Sequence, residues 1–366
     1  MRLGSRCTGG RDGQLVLVSA DLRRALPVDQ IAPTMQDALD RWAQVRDVLR
    51  AADERFRSDP TAGVKLGAGE LLAPLPRAYA WIDCGAYPYP MELLAQLRGA
   101  EPPDPASAAR PPFFDGAAQF IASGGPLSTL GSAELDIEAE LAFVLADVEL
   151  GASAEEAGRA IVGITVVNDI SLRDVLRTDL DAGKGIYHAK PLCSMAPTMV
   201  TLDELGEAWD GELLHAQMHS WINDRLLGHP DTSVDIAVTV PELIAQAART
   251  RPLGAGTVLG TGTVSNRDPD IGTACIAETR IRETLAQGAP RTKFLTSDDE
   301  IAIDLRVGNE SVAGALRHTI VGAPDQPGQH PTADRYRHRD DRRPDGAPIG
   351  HYADSPAATG PSPRYP

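Results

Sequence analysis

The chain has 366 residues, 42% of them hydrophobic, and a formal net charge of −16. This length and apolar content provide for a large core, and we expect two unequal domains. The negative charge argues against nucleic acid or an anionic membrane as a partner, because both bind basic surfaces.

The first predicted unit is a small N-terminal β domain over residues 1–76. Residues 14–19 have the apolar composition of a strand, and residues 34–56 have helical periodicity. The apolar stripe of that helix consists of Leu39, Trp42, Val45 and Leu49. Prolines at 74 and 76 mark the end of the unit.

The second predicted unit, residues 77–322, alternates strands with few helices. Ser153-Ala-Glu-Glu is a capping box for a helix that ends near Ile161, and Pro241 begins another helix. Residues 258–265 and 301–307 have strand patterns. Because strands outnumber helices, we predict a β-rich α+β fold rather than a doubly wound sheet.

Two segments have the composition of irregular structure. Residues 100–112 are rich in Pro, Ala and Asp, which favours an ordered excursion or a lid. Residues 323–366 are crowded with Pro, Asp, Arg, Gly and His and almost lack aliphatic side chains. We therefore predict a disordered tail, because such a segment buries too little surface to fold.

Three carboxylates stand in strand-like, apolar surroundings. Glu138 and Glu140 lie in Asp136-Ile-Glu-Ala-Glu-Leu-Ala-Phe-Val-Leu, and Asp169 ends the β-branched stretch Ile164-Thr-Val-Val-Asn-Asp. Alternation along a strand points Glu138 and Glu140 the same way. Two like charges on an inward face are costly unless a cation neutralises them. Oxygen ligands favour Mg²⁺, Mn²⁺ or Ca²⁺ over zinc.

Four ordered motifs surround these carboxylates: Asp136-Ile-Glu-Ala-Glu, Val167-Asn-Asp-Ile-Ser-Leu-Arg-Asp, Ala189-Lys-Pro and Leu259-Gly-Thr-Gly-Thr-Val-Ser-Asn. With them the chain resembles the fumarylacetoacetate hydrolase family over residues 10–321. The resemblance implies a small N-terminal β domain, a mixed β-roll catalytic domain, a divalent cation, usually Mg²⁺ or a related ion, and a homodimer. It also implies a 1,3-diketone or 2-oxo acid substrate, handled by C–C hydrolysis, decarboxylation or isomerisation through a metal-held enolate.

The resemblance also implies roles for particular side chains. Glu138, Glu140 and Asp169 match the family's metal ligands, and Asp83 matches a further acidic ligand of some members, although a turn or capping carboxylate explains Asp83 equally well. Lys190 matches the active-site lysine, which would steady a carboxylate or an enolate.

Three further positions match the family, and each has both a functional and a purely structural interpretation. Arg173 would orient acids around the site or form a structural ion pair. Thr263 and the backbone at Gly262 match a loop that meets substrate oxygens, or they mark a strand bulge.

The chain departs from the family where a histidine is expected to activate water. That position falls on Pro90, and the first histidine of the chain is His188. The glutamate that partners the family's histidine is matched by Glu278, for which an exposed strand residue paired with Arg280 is the alternative.

Other groups could take the place of the missing base. Glu92, two residues beyond Pro90, could act as a base if burial raised its pKa towards neutrality. Tyr87 and Tyr89 could act as acids, and His188 could enter from the opposite side. A lid surface for Glu92 and a packed or solvated imidazole for His188 are the alternatives.

A second departure changes the expected substrate pocket. Close relatives carry polar residues where this chain has Phe113-Phe-Asp-Gly-Ala-Ala-Gln. We expect a more apolar pocket, with Phe114, Tyr87 and Gly262 among the groups that contact substrate.

Three functional hypotheses follow. The first is a divalent-metal-dependent enzyme that decarboxylates, tautomerises, dehydrates or cyclises a 1,3-dicarbonyl or 2-oxo acid through an enolate, in a specialised biosynthetic or catabolic pathway. The second is a C–C bond hydrolase of the acylpyruvate or fumarylacetoacetate type with a rebuilt base. The third is a catalytically inactive binding or scaffold protein.

The remaining sequence signals concern location. No apolar run reaches the roughly 18 residues of a membrane span. The first residues lack the apolar core of a signal peptide, and the four cysteines contain no Cys-x-x-Cys pair. We expect a cytoplasmic protein with reduced thiols that acts on a small molecule and contacts neither membrane nor nucleic acid.

Overall fold

The computed structural model describes residues 1–323, so the predicted tail from residue 324 onward lies outside the described residues. The described part contains twenty strands. In chain order, β1 to β20 are Arg2–Arg6, Gln14–Val18, Arg24–Pro27, Val64–Lys65, Ala80–Cys84, Phe113–Asp115, Phe120–Ala122, Pro126–Ser128, Leu135–Asp136, Ala139–Leu145, Ile161–Asp169, Ser171–Leu172, Cys193–Met195, Met199–Thr201, Gln217–Ile222, Arg225–Gly228, Thr257–Thr263, Glu300–Val307, Glu310–Ser311 and Leu316–Val321.

The described part also contains eight α-helices. In chain order, α1 to α8 are Met35–Asp40, Trp42–Ser58, Tyr89–Arg98, Pro105–Ala108, Ala154–Arg159, Arg173–Asp181, Val240–Ala247 and Ile276–Gln287. No helix of residues 1–323 is long and apolar enough to cross a membrane.

Two large mixed sheets organise the chain. The twelve-stranded sheet has the order β4-β3-β2-β1-β14-β11-β10-β17-β5-β6, with β13 and β7 attached beside β11. The six-stranded sheet has the order β16-β15-β18-β20-β8, with β19 attached to β18. Most pairs are antiparallel, whereas β17–β5, β13–β7 and β20–β8 are parallel. The fold is therefore β-rich α+β, as the sequence predicts.

The N-terminal strands extend the large sheet. β1 pairs with β14, with Leu3 opposite Met199, and β2 to β4 follow outward from β1. A small N-terminal β unit is thus present, but its strands hydrogen-bond to the larger unit. The boundary at residue 76 stays a prediction.

Several predicted elements differ from the observed ones at their ends. The predicted helix over residues 34–56 is two helices, α1 and α2, because Arg41 leaves the helical region with φ −122° and ψ 26°. The helix that Ser153 caps ends at Arg159, because strand β11 begins at Ile161. Helix α7 begins at Val240, where Thr239 forms a capping box with Glu242.

The centre of the large sheet is covered on both faces. Every residue of β10 and β11 is buried. Leu141 and Phe143 of β10 belong to one apolar cluster, and Ala142 and Val144 belong to another on the opposite face. Because side chains alternate along a strand, Glu140 shares the face of Ala142 and Val144. Glu140 therefore places a carboxylate on a face where the neighbouring side chains of β10 are apolar.

Candidate metal centre and active site

Three carboxylates meet on one face of the large sheet. One oxygen each of Asp83 on β5, Glu140 on β10 and Asp169 at the end of β11 lie within 4.8 Å of one another. Neighbouring strands bring them together, because β11, β10, β17 and β5 are adjacent in the sheet. The cluster draws on segments that lie far apart in the chain.

Two glycines of β17 make room for Glu140. A Cβ at Gly260 would lie 2.5 Å from Glu140 Oε2 and 2.3 Å from the Trp81 ring, closer than atoms can approach. Gly262 has φ +82°, and its N–H donates to Glu140 Oε2 at 3.2 Å. The β10–β17 register also shifts between Glu140 and Ala142, so an irregularity of the ladder accompanies the carboxylate contact.

The cluster fits a hard divalent cation. Glu140 Oε1 is buried and has no hydrogen-bond partner among the described residues. Burial, with the neighbouring Asp169, raises the pKa of Asp83 to about 8. Burial, with Asp83 and Asp169, raises the pKa of Glu140 well above its ordinary value. A bound cation would stabilise the ionised forms of these carboxylates. A set of oxygen donors suits Mg²⁺, Mn²⁺ or Ca²⁺.

Glu138 lies at the edge of this cluster rather than within the closest trio. It precedes β10, where an isolated bridge pairs it with Cys275, and Lys190 Nζ contacts both Glu138 and Asp169. Both its oxygens are occupied, Oε1 by Arg173 Nη2 at 2.6 Å and Oε2 by Lys190 Nζ at 2.5 Å. The closest trio therefore contains Asp83 instead, and a ligand role for Glu138 stays a prediction.

The charge state of Glu138 follows from those two partners. Burial alone would raise its pKa, but Lys190 and Arg173 outweigh burial and lower the pKa to about 2. Glu138 is thus an ionised carboxylate inside the protein, stabilised by two cations.

Lys190 links Glu138 to the metal cluster. It follows a short 3-10 turn, Tyr187–Ala189, and its Nζ donates to Asp169 Oδ2 at 2.6 Å as well as to Glu138. Its side chain is only 9% exposed. Burial opposes the charge, but Asp169 and Glu138 raise the pKa of Lys190 well above its ordinary value. The ammonium is therefore charged at neutral pH and lies beside a candidate ligand.

Arg173 is held in place by Asp136, a residue that the sequence gives no role. Arg173 Nε donates to Asp136 Oδ2 at 2.8 Å. Asp136 is fully buried and also accepts the N–H groups of Ile276 at 2.7 Å and Ala277 at 3.0 Å, in the first turn of α8. Arg173 thus makes a structural ion pair and orients Glu138, so its two predicted roles coexist. The position of Asp136, two residues before Glu138, was the available signal.

Strand register places two predicted substrate contacts beside the carboxylates. Thr263 lies opposite Glu140 in the β10–β17 ladder, and Phe114 lies opposite Asp83 in the β5–β6 ladder. Directly opposite residues project from the same face of a sheet. Phe114 is 37% exposed, so it gives this face an apolar surface that solvent reaches.

The helix that carries Pro90 is held by surface pairs. Glu92 on α3 forms a two-pronged ion pair with Arg267, one prong of which has an Nη2–Oε1 distance of 2.8 Å. The Tyr89 ring lies 5.1 Å from the Arg267 guanidinium carbon and 5.3 Å from that of Arg282. Arg267 lowers the pKa of Glu92, so the raised pKa that a base role for Glu92 would require is not found.

Tyr87 and His188 are also occupied. The buried Tyr87 hydroxyl donates to the Thr232 carbonyl oxygen at 2.7 Å, and burial raises its pKa far above the ordinary value. His188 is 67% exposed and its Nδ1 lies 2.8 Å from Asp179. Tyr87 is therefore a poor acid here, and roles in chemistry or binding for these two residues stay predictions.

Glu278 lies in a buried position on α8. Its Oε1 accepts from Ser265 at 2.9 Å and from Arg282 at 2.7 Å. The alternative of an exposed strand residue paired with Arg280 is wrong, because Glu278 is helical, 2% exposed and paired with Arg282. Its Oε2 is buried without a partner among the described residues, and burial raises its pKa.

Comparison with known proteins gives the class of this site. A model of the fumarylacetoacetate (FAA) hydrolase C-terminal region matches residues 84–321. A model of the fumarylacetoacetase N-terminal domain 2 matches residues 1–77. The chain belongs to the fumarylacetoacetate hydrolase family, so the resemblance seen in the sequence is confirmed.

Individual relatives are more distant. Oxaloacetate tautomerase YisK of Bacillus subtilis is 29% identical over 177 residues, which span 48% of this chain and 50% of that protein. The chain thus matches about half the length of this curated relative.

Two solved structures share the fold. A putative HpcE protein from Mycobacterium smegmatis superposes with a TM-score of 0.65 at 21% identity, over 88% of this chain and all of that one. Maleylpyruvate hydrolase from Sphingobium sp. SYK-6, in complex with manganese(II) and pyruvate, has a TM-score of 0.59 at 17% identity, over 88% and 100% of the two chains.

Proposed function

We propose that this chain is a divalent-metal-dependent enzyme that transfers protons on a 2-oxo acid or 1,3-dicarbonyl compound through its enolate. The observation that carries the proposal is the cluster of Asp83, Glu140 and Asp169, in which one oxygen of Glu140 has no partner within residues 1–323 and Asp169 binds the Lys190 ammonium. Tautomerisation and decarboxylation are the reactions this arrangement supports best.

The residues of the cluster would have two roles, stabilising negative charge on the substrate and transferring protons. A cation bound there would supply positive charge to two substrate oxygens, which favours the enolate form of the substrate. Lys190 is aimed at the edge of the same cluster and would bind a substrate carboxylate or hold a proton at Nζ. Arg173 and Asp136 would keep Glu138, and with it Lys190, in place. Thr263 would offer its hydroxyl from the face of Glu140.

Glu278 is our candidate for a second proton-transfer group. Its buried position raises its pKa, and one of its oxygens has no partner among the described residues. Ser265 and Arg282 fix the other oxygen and so fix the direction of the free one. A carboxyl with a raised pKa holds its proton more tightly than an exposed one, so it can both take and return a proton during turnover.

The relatives support a small 2-oxo acid as substrate. One is an oxaloacetate tautomerase, and a protein of the same fold binds manganese(II) and pyruvate. Oxaloacetate is both a 2-oxo acid and a 1,3-dicarbonyl compound. Phe114 favours an analogue with an apolar substituent at the exposed side of the cluster.

C–C hydrolysis is the weaker alternative. It requires a base to activate water, and Pro90 occupies the position where the family's histidine is expected. Glu92 is a poor replacement, because its ion pair with Arg267 lowers its pKa. A catalytically inactive scaffold is weaker still, because buried like charges without a cation are costly. The homodimer and the cytoplasmic location stay predictions.

A substrate panel tests the proposal. Metal-stripped protein, supplied with Mg²⁺, Mn²⁺ or no metal, is incubated in ¹⁸O-labelled water with oxaloacetate, an acylpyruvate and an aryl-substituted acylpyruvate. Ultraviolet absorbance follows enol–keto exchange, and mass spectrometry follows products. We expect metal-dependent tautomerisation or CO₂ release without ¹⁸O in new carboxyl groups beyond the enzyme-free control. Cleaved acids that carry ¹⁸O above that control would establish a hydrolase instead. Inactivity with every substrate would favour the scaffold.

A further inference from the structure

A second site candidate lies in the N-terminal unit, away from the carboxylate cluster. A cavity of about 170 Å³ is lined by Arg2, Val18, Ser19, Ala20, Arg24, Phe56 and Arg57. We call it the Arg24 cavity. Three guanidinium groups around one small cavity are unusual in a chain of net charge −16.

Arg24 forms no salt bridge with a carboxylate of residues 1–323, although the carboxylates of Asp21 and Asp59 lie within reach of its electrostatic field. Its Nη1 donates to the carbonyl oxygens of Asp59 at 3.2 Å and Ala62 at 2.9 Å. Its guanidinium carbon lies 4.9 Å from the centre of the Phe56 ring, which supports one face of the group. Within residues 1–323 its Nε and Nη2 make no hydrogen bond, and the group forms no salt bridge. The Nε and Nη2 edge of the Arg24 guanidinium therefore remains available to an anion.

The other two arginines are fixed beside it. Arg57 Nη2 lies 2.6 Å from Glu204 Oε2 and its Nε lies 2.7 Å from Asp53. Arg2 Nη1 lies 2.8 Å from Glu204 Oε1. Arg2 and Arg57 are thus paired with carboxylates, and Arg24 is the guanidinium of the lining that has no salt-bridge partner among the described residues. All three charged side chains of the lining are cationic, and hydrogen bonds hold each of them in place.

We propose that the Arg24 cavity binds a small oxyanion, the phosphate group or carboxylate group of a small molecule. A guanidinium edge matches two oxygens of either group with parallel N–H donors. The cavity size limits the ligand to a small anion or a small anionic end of a larger molecule. A bound anion would join β1, β3 and helix α2, the elements that supply the three arginines.

Calorimetry on metal-stripped protein at low ionic strength tests this site. Inorganic phosphate and malonate are titrated separately into the wild type and into Arg24→Gln and Ala20→Leu. We expect one binding event per chain, weakened about tenfold or more by Arg24→Gln, since a charge-assisted bidentate contact is lost. Ala20→Leu, which fills the cavity without changing charge, should weaken binding similarly.

Controls separate the site from general charge effects. Arg55→Gln removes an exposed arginine of the same helix outside the cavity and should leave affinity unchanged. Glu140→Gln alters the carboxylate cluster and should also leave phosphate affinity unchanged, so failure of the proposed enzyme function would not affect this result. Circular dichroism verifies that each variant is folded. Tighter phosphate than malonate binding would identify a phosphate ligand, and the reverse would identify a carboxylate.

Two results would overturn the proposal. One is the absence of binding heat for both anions at millimolar concentrations. The other is affinity that Ala20→Leu and Arg24→Gln leave unchanged, or that Arg55→Gln reduces equally.

Discussion

The strands that carry the carboxylate cluster, which we call the floor of the candidate active site, and the neighbouring helix α3 are stabilised in different ways. The floor is built on β10, β11, β17 and β5, adjacent strands at the centre of a sheet. Helix α3 follows β5 and is tied by an ion pair between Glu92 and Arg267, whose side chains are 30% and 49% exposed. A sheet floor fixes charged groups within fractions of an ångström, whereas an exposed ion pair contributes little stability. The predicted departure from the family, with Pro90 at the expected histidine position, lies on this more weakly held helix.

The largest effect is expected from Lys190→Met. Removing the ammonium leaves Glu138 and Asp169 buried without one of their cations, which costs about 3–5 kcal/mol of unfolding free energy in metal-stripped protein. Activity should fall by a factor of about 10²–10⁴, because a positioned proton-transfer or charge-stabilising group is lost. Chemical denaturation and the tautomerisation assay measure the two effects.

Lys184→Met is the matched control. Lys184 lies in the same segment, but its side chain is 62% exposed and 3.9 Å from Asp179. Stability and activity should stay near wild type. Equal losses in both variants would remove Lys190 from the site.

Asp136→Asn should weaken the site without touching it. A neutral amide accepts hydrogen bonds from Arg173, Ile276 and Ala277 more weakly than the Asp136 carboxylate does. Because Arg173 then moves more freely, Glu138 loses its fixed orientation. We expect Mn²⁺ affinity to fall by about 10–100-fold, the usual effect of a group that orients ligands. Titration calorimetry measures the affinity. The exposed Asp181→Asn is the control, and an unchanged affinity in Asp136→Asn would show that Arg173 is held without Asp136.

Gly260→Ala changes the packing of β17 against Glu140 and should have a smaller effect than Asp136→Asn. The new Cβ would meet Glu140 Oε2 and the Trp81 ring, so one of them must shift. Overpacking of this kind costs about 1–3 kcal/mol and should lower Mn²⁺ affinity. At Gly10 a Cβ would meet nothing within 4 Å, so Gly10→Ala serves as control. Mn²⁺ affinity equal to wild type in Gly260→Ala would show that the Trp81 ring, and not Glu140, shifts to make room for the new Cβ.

Glu92→Gln should have the smallest effect. The exposed pair with Arg267 contributes less than about 1 kcal/mol, and a carboxylate with a lowered pKa is a weak base. Turnover should therefore stay within a few-fold of wild type. A fall of about 10²-fold or more at unchanged stability would support the hydrolase with Glu92 as its base.

The positions of two carboxylates of the floor can be predicted from local sequence patterns. Glu140 and Asp169 end or begin apolar, β-branched stretches, so their inward position could be read from the sequence. The place of Asp83 could not, because it depends on the parallel pairing of β5 with β17, whose Gly260 lies opposite Asp83. The two cations at Glu138 could not be predicted from local patterns, because Arg173 and Lys190 reach its oxygens from two other segments of the chain.

The neighbourhood of α3 was less predictable. The pKa of Glu92 depends on Arg267, which is distant in sequence and reaches it only in the folded chain. Glu278 was assigned an exposed strand as its alternative, although it occupies the buried first turn of α8. Exposed ion pairs and helix ends respond to tertiary contacts that single-sequence periodicity does not contain.

Titration of Mn²⁺ into metal-stripped wild type and Glu140→Gln tests the central claim most directly. If the buried carboxylates form a metal centre, the wild type binds one Mn²⁺ per chain with a rise in melting temperature, and Glu140→Gln loses most of that affinity. A folded wild-type protein that takes up no Mn²⁺ or Mg²⁺, or one whose binding is unchanged by Glu140→Gln, would contradict it.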